Sequence, residues 1–181
     1  MRRSIFRNTA PTSAFTLVEL LVVVSIIGLL VGLLAAGIPR AMDAGMKAKA
    51  KGEATAIVAA LKAYKQEYGR FPTQTNFSGT TTINLIKVLN GDSTTSLGGS
   101  EPANPKGVRF LEGGGTSGLA DPWGNQYVVV VDADETGSIT YTYAGTSKTL
   151  NISVLALSYG SDGKADTASG KKNDVFSTDL Q

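Results

Sequence analysis

Four acidic side chains are the residues whose setting most invites chemistry. Asp162, Asp166 and Asp174 fall within "SYGSDGKADTASGKKNDVF", Ser158 to Phe176, a stretch rich in Gly, Ser and Asn. Carboxylates spaced along such a loop suit calcium, which takes about six to eight oxygens from side chains and backbone carbonyls. Asp162-Gly163 puts a carboxylate at a tight turn, and Asp174 is placed to close the loop. A chain without cysteine has a use for a metal clip at an otherwise loose terminus; the alternative is a solvated tail of mixed charge. Glu19 raises a different question. It stands directly before Leu20–Ile38, a run with no formal charge. A charge at a bilayer centre costs about 2.5–3.5 kcal/mol even on the lenient scale, so Glu19 needs a partner or a place at the edge.

Other chemistry is largely excluded. The chain has no cysteine and no histidine, which removes disulfides, thiol catalysis, zinc–histidine sites and a histidine-based triad. Serine with lysine, or paired carboxylates, remain formally open, but no such arrangement is legible, and the expectation is that the chain is not an enzyme. Asp132–Gly137 begins like an EF-hand, yet the residue in the twelfth position is Tyr143 rather than an acid, so a solvated turn is the reading taken. Arg2, Arg3 and Arg7 give residues 1–14 a charge of +3, leaving −1 for the remainder of a chain of net charge +2. Basic character therefore belongs to a short leader, and no nucleic-acid surface is implied. Lys47, Lys49 and Lys51, interleaved with Asp43 and Glu53, read as a solvated helix face.

The elements that must position these groups follow from periodicity. Leu20–Ile38 would span about 28 Å as a helix, close to the hydrocarbon thickness of a bilayer. The arginines before it favour a cytoplasmic N-terminus, sending the rest of the chain across. An ordinary signal peptide is the rival, with Ala35-Ala36-Gly37 as small residues near its end, but the run is long for that and Glu19 interrupts its start. Beyond Arg40 the apolar positions Met42, Met46, Ala50, Ala54, Ile57, Leu61, Tyr64 and Tyr68 form one helical stripe. One helix from about Phe15 to Tyr68 is expected, ended by Gly69 and Pro72. Pro39 and the glycines Gly28, Gly32 and Gly37 mark places where it can bend; Gly28 to Gly32 also fits the GxxxG packing pattern. Ile83, Leu85, Ile86, Val88 and Leu89 predict a short helix inside a long connector over residues 73–120, expected to vary at the surface. Strands are expected at Gln126–Val131, around Ile139, Tyr141 and Tyr143, and at Leu150–Tyr159, joined by short turns at Asp132–Gly137 and Gly145–Lys148. The fold class is α+β: a long N-terminal helix packed on a three-stranded antiparallel sheet. The organisation is a basic leader over 1–14, a transmembrane helix over 15–39 and a soluble domain over 40–181.

"AFTLVELLVVVSIIGLLVGLL" resembles the class III signal of type IV pilin-like proteins. In that family a basic leader is removed just before a phenylalanine by a prepilin peptidase, the new N-terminus is methylated, and the fifth mature residue is glutamate. The resemblance implies cleavage between Ala14 and Phe15, methylation of Phe15 and an assembly role for Phe15 and Glu19; the family usually has glycine where this chain has Ala14. "AYKQEYGRFPT", "DPWGNQY" and "LSYGSDGKAD…NDV" resemble, in order, three segments of the major pseudopilins of type II secretion, with Gln126 where those commonly have proline. The likeness therefore runs from Phe15 to Val175. It implies a homopolymeric, non-enzymatic pseudopilus subunit, a calcium site formed by Asp162, Asp174 and the backbone carbonyl of Tyr159, and inner-membrane anchoring by a single span with a periplasmic domain. Other pseudopilins and inner-membrane secretion components are the implied partners. Alternatives are a DNA-uptake or adhesive type IV pilin, which commonly carries a cysteine pair absent here, a secreted globular protein, and more remotely a membrane-bound enzyme.

Overall fold

The computed structural model describes residues 15–113, 118–166 and 173–178; the basic leader, with Ala14, lies outside them. The described chain divides into two compact units, Met1–Met42 and Asp43–Gln181. Helix α1, Leu17–Tyr68, contributes to both and continues through Pro39. In the first unit its large apolar side chains, from Leu17 to Ile38, are exposed. The helix is long and apolar enough to cross a membrane. Ser25, the polar residue of Leu20–Ile38, donates to the carbonyls of Leu21 (2.8 Å) and Val22 (2.9 Å), so its hydroxyl is satisfied by its own helix.

The second unit is built on the other half of α1. Its buried stripe begins at Ala50 and continues through Ala54, Ile57, Leu61 and Tyr64. Met42, expected at the head of that stripe, is 61% exposed. The helix ends as the sequence predicts, with Gly69 N–H donating to the Lys65 carbonyl at 2.8 Å. A second helix, α2, spans Thr80–Leu89 and buries Leu85, Ile86, Val88 and Leu89.

Among the described residues there are six short strands, in a more divided plan than three. They are β1 (Asn76–Phe77), β2 (Val128–Val131), β3 (Ile139–Tyr143), β4 (Thr146–Leu150), β5 (Val154–Ser158) and β6 (Val175–Phe176). One antiparallel sheet has the order β1-β2-β5-β6, and β3-β4 form a separate two-stranded ribbon. The α+β class of a long N-terminal helix with an antiparallel sheet holds, with more strands than expected. The run expected as one strand from Leu150 is shorter: Leu150 ends β4, residues 151–153 leave that ribbon, and the strand β5 begins at Val154 in the other sheet. The connection placed at Gly145–Lys148 is tighter in the structure. Ala144 (φ 51°) and Gly145 (φ 78°) make a two-residue hairpin turn, and Thr146 already pairs with Tyr143.

Asp132–Gly137 does not make β2 and β3 neighbours in a sheet. Asp132 instead caps a corner, its carboxylate accepting from Thr136 N–H (2.9 Å), Thr136 Oγ1 (3.1 Å) and Gly137 N–H (2.8 Å). The edge of β2 so vacated goes to β5, in the register Val128↔Leu157 through Val131↔Val154. Alternation then assigns the two faces. Val129, Val131 and Ala156 pack with α1 and α2; Val130, Leu155 and Leu157 pack with Ile139, Tyr141 and Tyr143 of the ribbon. A strand of four valines buried on both faces is the result. The connector is better packed than its composition suggests. Asn104 is buried, donating to the carbonyls of Val88 and Val108 (2.8 Å each) and accepting from Tyr68 Oη (2.5 Å).

Candidate functional site

The start of α1 explains how Glu19 is tolerated. Thr16 N–H and Thr16 Oγ1 both donate to Glu19 Oε2 at 2.8 Å, and Glu19 N–H donates to Thr16 Oγ1 at 3.2 Å. This is a capping box: the first turn of a helix leaves amide protons without partners, and side chains at the cap and three residues on satisfy them reciprocally. The carboxylate also sits at the positive end of the helix dipole. Glu19 is thus a terminator of the apolar helix and not a charge inside it. The long apolar run draws attention to Glu19 and away from Thr16, although Thr-x-x-Glu ahead of such a run is a recognised capping signature. Phe15 is exposed beside it, and a Cβ added at Gly28 or Gly32 would meet nothing within 4 Å.

A second polar centre lies at the C-terminal end of the sheet. Strand β5 runs into Tyr159 and a 3-10 turn, Gly160–Asp162. Two segments lock this turn in place. In the "DPWGN" stretch, Asp121 Oδ1 accepts from Trp123 N–H (3.1 Å) and Asn125 N–H (2.7 Å), while Asp121 Oδ2 accepts from Ser158 Oγ (2.5 Å). Asn125 then donates to the Gly160 carbonyl at 2.8 Å, and Gly160 N–H donates to Ser158 Oγ at 2.9 Å. Trp123 is only partly buried, and the aromatic that this segment sends into the core is Tyr127. From the other side, Asn173 packs so closely that a Cβ on Gly160 would lie 2.4 Å from the Asn173 carbonyl oxygen.

The acidic residues divide unevenly around this frame. Asp162 is exposed, its Oδ1 accepting from Lys164 N–H at 3.1 Å. Asp166 and Asp174 are joined directly. Asp166 N–H donates to Asp174 Oδ2 at 2.9 Å, and Asp174 N–H donates to Asp166 Oδ2 at 3.0 Å, with Asn173 N–H adding a bond to the same oxygen at 2.9 Å. Tyr143, from β3, donates its hydroxyl to Asp174 Oδ2. Burial holds the Asp174 carboxyl above the ordinary aspartate range, with the Asp166 and Asp162 charges adding to the effect against the Tyr143 hydrogen bond. Burial and the same hydrogen bond push the Tyr143 hydroxyl up. The expected ligand Asp174 is therefore tied to Asp166, a residue that resemblance leaves without a role. Tyr143 is too distant in sequence to have been associated with the loop.

Among the described residues no three acidic side chains converge on one point. A calcium site does not require that, since amide and carbonyl oxygens serve as ligands. Among the described residues, three buried side-chain oxygens in this region have no hydrogen-bond donor: Asp166 Oδ1, Asp174 Oδ1 and Asn173 Oδ1. Buried acceptors without donors are costly, and a hard cation is the species that satisfies acceptors alone. The residues present fit calcium on that ground.

Residues 11–35 match the family model for the prokaryotic N-terminal methylation motif, which is the prepilin signal of type IV pilins and pseudopilins. No curated protein matches the chain. The motif supports a type IV pilin-like structural subunit; it implies processing by a prepilin peptidase and polymerisation into pilus-like filaments. With the apolar helix it suggests membrane anchoring.

Proposed function

We propose that the chain is a major-pseudopilin-like subunit that polymerises into a periplasmic pseudopilus and so serves type II protein secretion. The observation that carries this reading is a prepilin-type signal feeding an apolar helix whose side chains have no cover in their own unit. Such a surface needs lipid before assembly and other helices after it. Lipid and a helical bundle are similarly apolar, so packing and electrostatics decide the exchange. Glu19 supplies the electrostatics, because its carboxylate at the helix start would neutralise the α-amine of Phe15 on a neighbouring subunit. Among the described residues, the capping box engages only Oε2 of that carboxylate.

The assignment to secretion rather than to DNA uptake or adhesion rests on "GRFP", "DPWGNQY" and the acidic C-terminal loop. In this reading calcium binds that loop through Asp162, Asp174 and the Tyr159 carbonyl. When bound, it supplies positive charge among buried oxygens and orders the loop against the sheet.

Mass spectrometry of the N-terminal peptide from membranes of a host with a prepilin peptidase tests the first step. The expected product begins at methylated Phe15. A product beginning near Gly37 or Ile38 would overturn the reading in favour of an ordinary secreted protein.

A further inference from the structure

We propose that Asp166 and Asn173 are calcium ligands in this chain, completing the set that Asp174 begins; the inference rests on the calcium reading above. Resemblance assigns neither residue. Asp166 and Asp174 each commit Oδ2 to closing the loop, through the reciprocal amide bonds at 2.9 and 3.0 Å. Each leaves Oδ1 buried and, among the described residues, without a donor. Between them in sequence Asn173 is only 6% exposed; its Nδ2 donates to Ser161 Oγ at 3.0 Å, while its Oδ1 has no donor among the described residues.

The three orphaned atoms share one chemistry. All are acceptors, two carry formal charge, and adjacent residues or reciprocal bonds link the side chains that bear them. A trapped water offers two protons and no charge, so it leaves at least one acceptor bare and two carboxylates unneutralised. A hard divalent cation answers both deficits, with backbone carbonyls and water filling the remaining positions. The clasp also explains why the oxygens are held before any metal arrives. Amides of Asp166, Asn173 and Asp174 fix the Oδ2 atoms, and Tyr143 braces Asp174 from the ribbon.

The test uses the full chain in detergent, titrated with calcium by calorimetry and melted in calcium and in chelator. Asp166→Asn keeps an oxygen for the Asn173 and Asp174 amides but removes the charge. It should melt like wild type in chelator and bind calcium about tenfold more weakly or worse. Asn173→Asp adds charge where the amide oxygen stood; it should lower the melting temperature in chelator and enlarge the rise that calcium produces. Wild-type calcium binding with Asp166→Asn unchanged would refute Asp166 as a ligand, and an unchanged calcium-induced rise in Asn173→Asp would refute Asn173. No binding by wild type would instead remove the calcium reading itself, and this inference with it.

Discussion

At the scale of single residues, the clearest commitments are made where a side chain has no room. Gly160 adopts φ +63°, and a Cβ there would meet the Asn173 carbonyl oxygen at 2.4 Å. Gly160→Ala therefore forces either the 3-10 turn or the Asn173 segment to move, and a thermal melt should show a loss of about 1–3 kcal/mol. An unchanged melting temperature would mean that the turn is not fixed by that contact. Asp132 makes a testable contribution of another kind. Burial opposes its ionisation, but the bonds from Gly137 and Thr136 outweigh it and hold the carboxyl below the ordinary range. An aspartate in an unfolded chain titrates near about pH 4. The Asp132 corner thus stabilises the fold fully above that pH and loses its effect as pH falls through the lower folded-state value. Melting temperatures of wild type and Asp132→Ala should differ at pH 7 and converge under acid; a constant gap would contradict the assignment. Glu19 stood out in the sequence because a charge beside an apolar run is conspicuous. Thr16 and Tyr143 did not, since their importance depends on what they face and not on what they are.

At the scale of elements, periodicity made α1 and α2 legible, and their ends agree with the glycine, proline and apolar pattern. Strand pairing was less so. A corner capped by Asp132 and a hairpin look alike as short polar stretches, and nothing local tells β2 that its neighbour is β5 and not β3. The assignment of Leu150 to β4 and of Val154–Ser158 to β5 has the same origin, because the change of sheet at residues 151–153 is decided by distant faces. One long-range link between elements is open to direct measurement. Tyr127, buried just before β2, donates its Oη to Glu53 Oε2 at 2.6 Å, so Glu53 is not merely a solvated residue of α1. Tyr127→Phe keeps the packing and removes the hydroxyl, and denaturant unfolding should register a loss of about 1–2 kcal/mol. No loss would show that water replaces the hydroxyl at no cost.

At the scale of the whole molecule, the capping role of Glu19 and its proposed role in assembly can be separated. Glutamine is also a capping-box residue, so Glu19→Gln preserves the helix start while removing the charge. If charge drives assembly, Glu19→Gln and Glu19→Ala should both insert and be cleaved, yet sediment as filaments far less than wild type. Breaking one side of a buried ion pair costs about 3–5 kcal/mol, enough to leave little polymer. Normal filaments from Glu19→Gln would show that the capping geometry, and not the charge, is what assembly requires. Polymerisation also has a consequence for the β3–β4 ribbon. Strand β4, "TSKTL", pairs on one side with β3 and, among the described residues, has no strand on the other. Open backbone edges recruit foreign strands, the more so when copies are tethered at millimolar effective concentration. The first four residues of β4 are polar and exposed, and Lys148 places a positive charge at their middle. Identical edges brought together would therefore repel, so crowding along a filament would not turn the ribbon into a template for cross-subunit sheets.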